Sequence, residues 1–315
     1  MMYRLFAAFS MCILAVPVTA AQYSYQIIDV PFAGATETEL FGINNHGTAV
    51  GSYLDSTGVR RGFIWDSVAD TFTDYAVLGA TGTRLFGIND AGEFTGYWQE
   101  AGFQHGFVDR GAGVENIDRP GFDTNYAWGI NDTGMIAGYV FDFSSGFFIT
   151  SHQYDIANPN FSTVLFNSLG SGTVTRGIND DGIQVGWSLE PDGSTPGVIY
   201  ENGTFTSFSI AADKSTLPND INNLGEIVGN VANLDFSGSR GFLRDESGLF
   251  SFLDVPGAEF TLALGINDAG IVVGSFEDSN ENLRSYFATP VPEPSSTGIL
   301  AFAVVAFRSR RLRRA

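Results

Sequence analysis

Six copies of one phrase, spaced in the forties, constrain this chain more than any other feature. They are Gly42-Ile43-Asn44-Asn45-His46-Gly47, Gly87-Ile88-Asn89-Asp90-Ala91-Gly92, Gly129-Ile130-Asn131-Asp132-Thr133-Gly134, Gly177-Ile178-Asn179-Asp180-Asp181-Gly182, Asp220-Ile221-Asn222-Asn223-Leu224-Gly225 and Gly265-Ile266-Asn267-Asp268-Ala269-Gly270. Successive copies start 45, 42, 48, 43 and 45 residues apart. A steady period of that length means one supersecondary unit, too small to bury its apolar face alone, repeated in a stack or a ring.

Short runs rich in Phe, Tyr, Val, Ile and Thr flank each copy, bounded by Gly, Asn, Asp and Ser. That is the pattern of strands. In the first unit the expected strands are residues 40–44 (a), 48–53 (b), 61–66 (c) and 71–77 (d). The Asn-Asp-x-Gly stretch reads as the a–b hairpin turn, begun by a side-chain oxygen and closed by a glycine at positive φ. The Ile before it is expected in the core. A second glycine recurs in strand b, at Gly51, Gly96, Gly138, Gly186, Gly229 and Gly274. Glycine weakens a strand, so its recurrence points to close approach of a backbone or a large ring. Strand c offers that ring in Arg61-Gly62-Phe63, His105-Gly106-Phe107, Ser145-Gly146-Phe147, Arg240-Gly241-Phe242 and Ser285-Tyr286-Phe287, with Pro196-Gly197-Val198 in the fourth unit.

The ends of the repeat decide between a stack and a ring. Units one to five each have a strand d, whereas the sixth stops after its strand c. An unclaimed strand, residues 23–30, precedes the first unit and reads like a strand d. It can complete the sixth unit, which closes the ring and removes exposed sheet edges. The expected fold is all-β: a six-bladed β-propeller of four-stranded blades over residues 22–290, closed by the N-terminal strand. The alternative is an open β-solenoid.

Together, the Gly-Ile-Asn-Asp phrase and the Gly-Phe of strand c resemble the bacterial extracellular HAF repeat family, although no copy keeps a His-Ala-Phe triplet. The resemblance implies an extracellular location and carries no activity with it. At the C-terminus, Val291-Pro292-Glu293-Pro294-Ser295 is followed by an apolar stretch, residues 297–307, and then by Arg308, Arg310, Arg311, Arg313 and Arg314. This order resembles the PEP-CTERM sorting signal. That likeness implies an exosortase-type processing enzyme as partner and a link to exopolysaccharide or biofilm. The arginines suit a stop-transfer element. The apolar stretch is 11 residues, against roughly 20 for a full span, so a short or transient membrane contact through this segment is expected. Residues 1–21 read as a secretory signal: Arg4, an apolar run, and Val18-Thr19-Ala20 as a cleavage site.

The sole cysteine, Cys12, lies in that leader, which leaves no disulfide, thiolate metal site or cysteine nucleophile for the body. Residues 22–290 carry 10 basic and 34 acidic side chains. Such a surface repels nucleic acid and anionic lipid. The three histidines, His46 in a turn, His105 in strand c and His152 in a loop, fall at unrelated points of the repeat and form no metal-ligand spacing. No nucleophile elbow or phosphate loop appears. One weaker constellation is a rim of b–c loop carboxylates: Asp55, Glu100, Asp142, Glu190, Asp192, Asp235, Asp278 and Glu281. Hard cations such as calcium take ligands of this kind. Nearby aromatics (Tyr53, Trp98, Phe141, Trp187, Phe236 and Phe276) suit stacking on sugar rings. The expectation is an exported, non-enzymatic surface or matrix protein, structural or adhesive, in contact with exopolysaccharide. A glycan hydrolase and a protein-binding scaffold are the alternatives.

Overall fold

The computed structural model describes residues 22–122, 124–142, 148–164, 172–235 and 237–292. Residues 1–21, with the leader, and 293–315, with Glu293, Pro294 and the five arginines, lie outside them, as does Phe236. The body, Tyr23–Val291, forms one compact unit. Every regular element among the described residues is a strand, 24 in all, and no helix there is long and apolar enough to cross a membrane.

The strands group into six antiparallel units of four. Three stand as separate four-stranded sheets. The other three are joined into one twelve-stranded path by single parallel pairings, Thr124 with Gln104 and Ile149 with Gly172. In the first unit strand a is Thr36–Ile43, b is Thr48–Leu54, c is Arg60–Asp66 and d is Thr71–Tyr75. The last unit takes Phe260–Ile266, Val272–Glu277 and Leu283–Val291 as a, b and c, and its fourth strand is Gln22–Ile28 from the start of the chain. The expected closure by the N-terminal strand is observed. Strand a stops one residue before the expected end because Asn44 belongs to the turn. Its Oδ1 accepts from His46 N at 3.1 Å and Thr48 N at 2.9 Å, and Gly47 closes the turn at φ 81°.

Two rings of hydrogen bonds join the units through these turns. In the first, the Asn44 Nδ2 donates to the carbonyl of Asn89, Asn89 to Asn131, Asn131 to Asn179, Asn179 to Asn222, Asn222 to Asn267, and Asn267 back to Asn44, at 2.8–3.3 Å. In the second, the backbone N–H of Asn45 donates to the side chain of Asp90, and so on through Asp132, Asp180, Asn223 and Asp268 back to Asn45, at 2.7–2.9 Å. The phrase is therefore a turn and a clamp at once. The inner position must both donate and accept, which Asn does and Asp does not. The outer position only accepts in this ring, and Asp or Asn serves there. All six isoleucines of the phrase are buried, as expected.

The strand-b glycines do admit rings. Gly51 stands opposite Phe63, Gly96 opposite Phe107 and Gly229 opposite Phe242. A Cβ on Gly51 would lie 2.1 Å from the Glu39 carbonyl and 2.8 Å from the Phe63 ring. Two strand-c alignments need correction. In the third unit His152 stands opposite Gly138, so the histidine expected in a loop occupies the strand-c ring position within Phe148–Asp155. The triplet Ser145-Gly146-Phe147 lies outside the described residues. In the sixth unit Tyr286, not Phe287, faces Gly274. The same register places Arg284, two residues before Tyr286, against Asp29, just past the closing strand, as Arg61 pairs with Asp74 and Arg240 with Asp254.

Candidate binding site on the propeller axis

A bulge in strand a aims one residue of each unit at the axis. In the first unit Leu40 pairs with Gly51 and Gly42 with Val50, which leaves Phe41 out of the ladder. The same slip leaves out Trp128, Arg176, Asn219 and Leu264, and in the second unit both Phe86 and Gly87. A bulge adds local twist and redirects the extra side chain. The following glycine makes room for the neighbouring unit: a Cβ on Gly42 would lie 2.5 Å from the Phe86 carbonyl, and one on Gly87 would lie 2.5 Å from that of Trp128.

The six axial residues are Phe41, Phe86, Trp128, Arg176, Asn219 and Leu264. Phe86 and Trp128 stack with centroids 3.9 Å apart, and Phe41 meets both edge-on. Arg176 lies over the Trp128 ring at 4.2 Å and donates from its Nη1 to Asn219 Oδ1 at 2.6 Å. The plug is thus apolar on one side and polar on the other.

Toward the face that carries the b–c and d–a loops, aromatic side chains surround the plug. Tyr97, Tyr126, Phe141 and Trp187 pack partly buried against the plug, with Tyr139 behind them. Tyr97 meets Tyr126 edge-on at 5.2 Å, and Tyr126 stacks on Tyr139 at 4.9 Å. Beside these rings Glu39 lies 3.4 Å from both Arg60 and Arg84, and Arg60 also pairs with Glu37 at 2.6 Å. Burial raises the Glu39 pKa, opposed by Arg84 and Arg60. Burial likewise raises the Tyr97 and Tyr126 phenols, so they stay protonated donors at neutral pH.

Toward the a–b turns, a cavity of about 80 Å³ runs from the plug to the outer ring of Asn45, Asp90, Asp132, Asp180, Asn223 and Asp268. Asn45 and Asn223 each bridge two of its carboxylates through Nδ2. Burial, then the like charges of Asp90, Asp180 and Asp268, raise the Asp132 pKa. Asp220 occupies the position that is glycine in the other five copies. Its carboxylate accepts from Ile221 N at 2.9 Å and Ile266 N at 3.0 Å, and burial pushes its pKa up to about 7.

The expected rim residues sit apart from this axis. Asp55 accepts from Thr57 and Val59 of its own loop, Asp192 from Ser194, Asp235 from Ser237, Asp278 from Asn280 and Asn282, and Glu190 from Ser188. Those bonds hold the four aspartates below the usual carboxylate range. Glu100 ends strand b of the second unit, Asp142 ends strand b of the third, and Glu281 lies in a b–c loop at φ 62°. Among the described residues no three His, Cys, Asp or Glu gather as a metal site. Of the aromatics, Phe141 and Trp187 reach the axial cluster, whereas Tyr53, Trp98 and Phe276 pack in clusters away from the axis. Of the sorting motif, Val291 ends strand c of the last unit and Pro292 follows it. The axial residues were not singled out from the sequence. The signal was available: Arg176, Asn219 and Asp220 depart from the apolar residue and glycine (Phe-Gly, Trp-Gly or Leu-Gly) that precede Ile-Asn in the other four copies.

No family model matches the chain, and no curated protein matches it. Solved structures do. A putative TolB from Agrobacterium tumefaciens matches with 12% identity over 87% of this chain and 100% of that one, at a TM-score of 0.57. The β-propeller domain of the Trilobed protease from Pyrococcus furiosus, described as having an open velcro topology, matches with 12% identity over 82% of each chain, at 0.51. A mutant Aleuria aurantia lectin in complex with Fucα1-6GlcNAc matches with 13% identity over 83% of this chain and 99% of that one, at 0.51. At such identity the likeness establishes the β-propeller fold alone.

Proposed function

We propose that the protein is an exported, non-enzymatic β-propeller that acts at the cell envelope or in the extracellular matrix and holds glycan against its axial cluster of aromatic rings. The observation that carries this reading is the arc of partly exposed rings, Tyr97, Tyr126 and Trp187, beside Arg84 and Glu39. Flat rings with an apolar face and polar tips suit the faces of sugars, and neighbouring charged groups suit their hydroxyls. The acidic body is consistent with a partner that is not nucleic acid. Export and processing by an exosortase-type enzyme rest on the two terminal segments.

The test is calorimetric titration of the body with the host's exopolysaccharide and with defined oligosaccharides, using Trp187→Ala and Tyr126→Ala as site variants. Binding by the parent and its loss in both folded variants supports the reading. Turnover of the glycan would move the assignment to a hydrolase. Capture of an envelope protein with no glycan affinity would move it to a protein-binding scaffold. Intact mass of the native protein, short of both termini, would support export and processing.

A further inference from the structure

We infer that the axial aromatic cluster is built for an acidic sugar, with Arg176 receiving the carboxylate of a uronate; this rests on the glycan reading above and names its ligand class. Among the described side chains, three cations stand at this cluster or its edge, Arg60, Arg84 and Arg176, against two carboxylates, Glu37 and Glu39. The edge pairs use up both carboxylates. Among the described residues Arg176 makes no ion pair: it rests on Trp128, its Nη1 is held by Asn219, the Tyr139 hydroxyl lies against the guanidinium, and its Nε is buried without a partner. A cation without a carboxylate partner beside an aromatic cluster is unexpected in a body with 34 acids and 10 bases, unless a negative group completes it. The nearby acid does not do so: the Asp220 carboxylate accepts from Ile221 and Ile266 N–H and makes no ion pair with Arg176.

The position of Arg176 strengthens the point. Four of the six bulged residues are apolar plugs, and a fifth, Asn219, is the group that orients the guanidinium. A planar guanidinium steadied on an aromatic face presents its remaining N–H groups in a fixed fork, the geometry that receives a carboxylate. Tyr126 and Trp187 then offer faces to the sugar ring itself.

The experiment titrates the protein with hexuronate trisaccharides and with the same trisaccharides after carboxyl reduction, at low and high salt. The uronate form is expected to bind about tenfold tighter or more, with the advantage shrinking as salt rises. Arg176→Gln is expected to bring the uronate down to the affinity of the reduced sugar while leaving the latter unchanged, and Arg176→Lys to recover part of the difference. Matching unfolding curves establish that both variants fold. Equal binding of the two sugars by the parent overturns the inference and leaves the glycan reading standing. Binding of neither overturns both.

Discussion

Arg284 Nε donates to Asp29 Oδ1 at 3.1 Å, joining residues 255 apart in sequence across the seam where the chain closes on itself. Around it the closing strand is held by the backbone ladder and by the Tyr25 ring edge-on to Tyr286 at 5.6 Å. The ion pair is partly exposed, and pairs of that kind contribute about 0.2–1 kcal/mol. Arg284→Gln should therefore shift thermal unfolding only slightly. Deletion of residues 22–30 should instead lower the stability of the whole body in one cooperative transition, because an open seam frees every neighbour. Fraying confined to the last unit, read by hydrogen exchange, would contradict this.

Asn131→Asp should cost about 2–3 kcal/mol, because the variant loses the donor to the Asn179 carbonyl and sets a buried carboxylate against that oxygen. Asp132→Asn, one residue along, should be neutral or slightly stabilising: the acceptor for Asp90 N survives and a like charge leaves the ring. Chemical denaturation of both variants checks the contrast.

Gly274→Ala should cost about 3 kcal/mol. Its Cβ would lie 1.9 Å from the Leu262 carbonyl and 2.9 Å from the Tyr286 hydroxyl, and backbone cannot yield as a flexible side chain does. A thermal shift comparable to that of an exposed-loop substitution such as Gly58→Ala, which meets nothing within 4 Å but sits at φ 80°, would refute it.

Asp220 gives stability a pH dependence of definite sign. Burial raises its folded pKa to about 7, above the unfolded value near 3.9. Between those values the folded state holds a proton that the unfolded state has released, so this group's contribution falls as pH rises. It is complete below about pH 4 and lost through pH 7, and amounts to on the order of 2 kcal/mol between pH 5 and 8. Asp220→Gly restores the residue of the other copies and should remove that slope. Unfolding free energies of parent and variant at the two pH values test it; parallel curves would refute the assignment.

The ring was legible because its evidence is arithmetic: six phrases, five d strands after them and one before. The turn was legible because Asn and Gly have local reasons to be where they are. What Asn44 does for Asn89 was not, since a hydrogen bond to a residue 45 positions away leaves the same mark on the sequence as an ordinary turn. The His152 position was missed because the ring opposite Gly138 is a histidine rather than Phe, and the nearby Phe147 supplied a false register. The axial site was missed because a bulge breaks strand alternation: counting by twos from Leu40 gives no reason to aim Phe41 at its counterparts. The rim acids were visible as a pattern, but a pattern of acids does not distinguish ligands from the turn caps that Asp55 and Asp192 form.

The bulge also separates two kinds of information in this chain. Ladder, turn and clamp are written in residues that repeat, while the bulged residue answers to none of them; Phe, Trp, Leu, Arg and Asn all occupy it within one molecule. The six axial positions are like pins of different cut in one lock cylinder: five residue types stand on a single repeated frame, and the ring closes around all of them by the same ladder, turn and clamp.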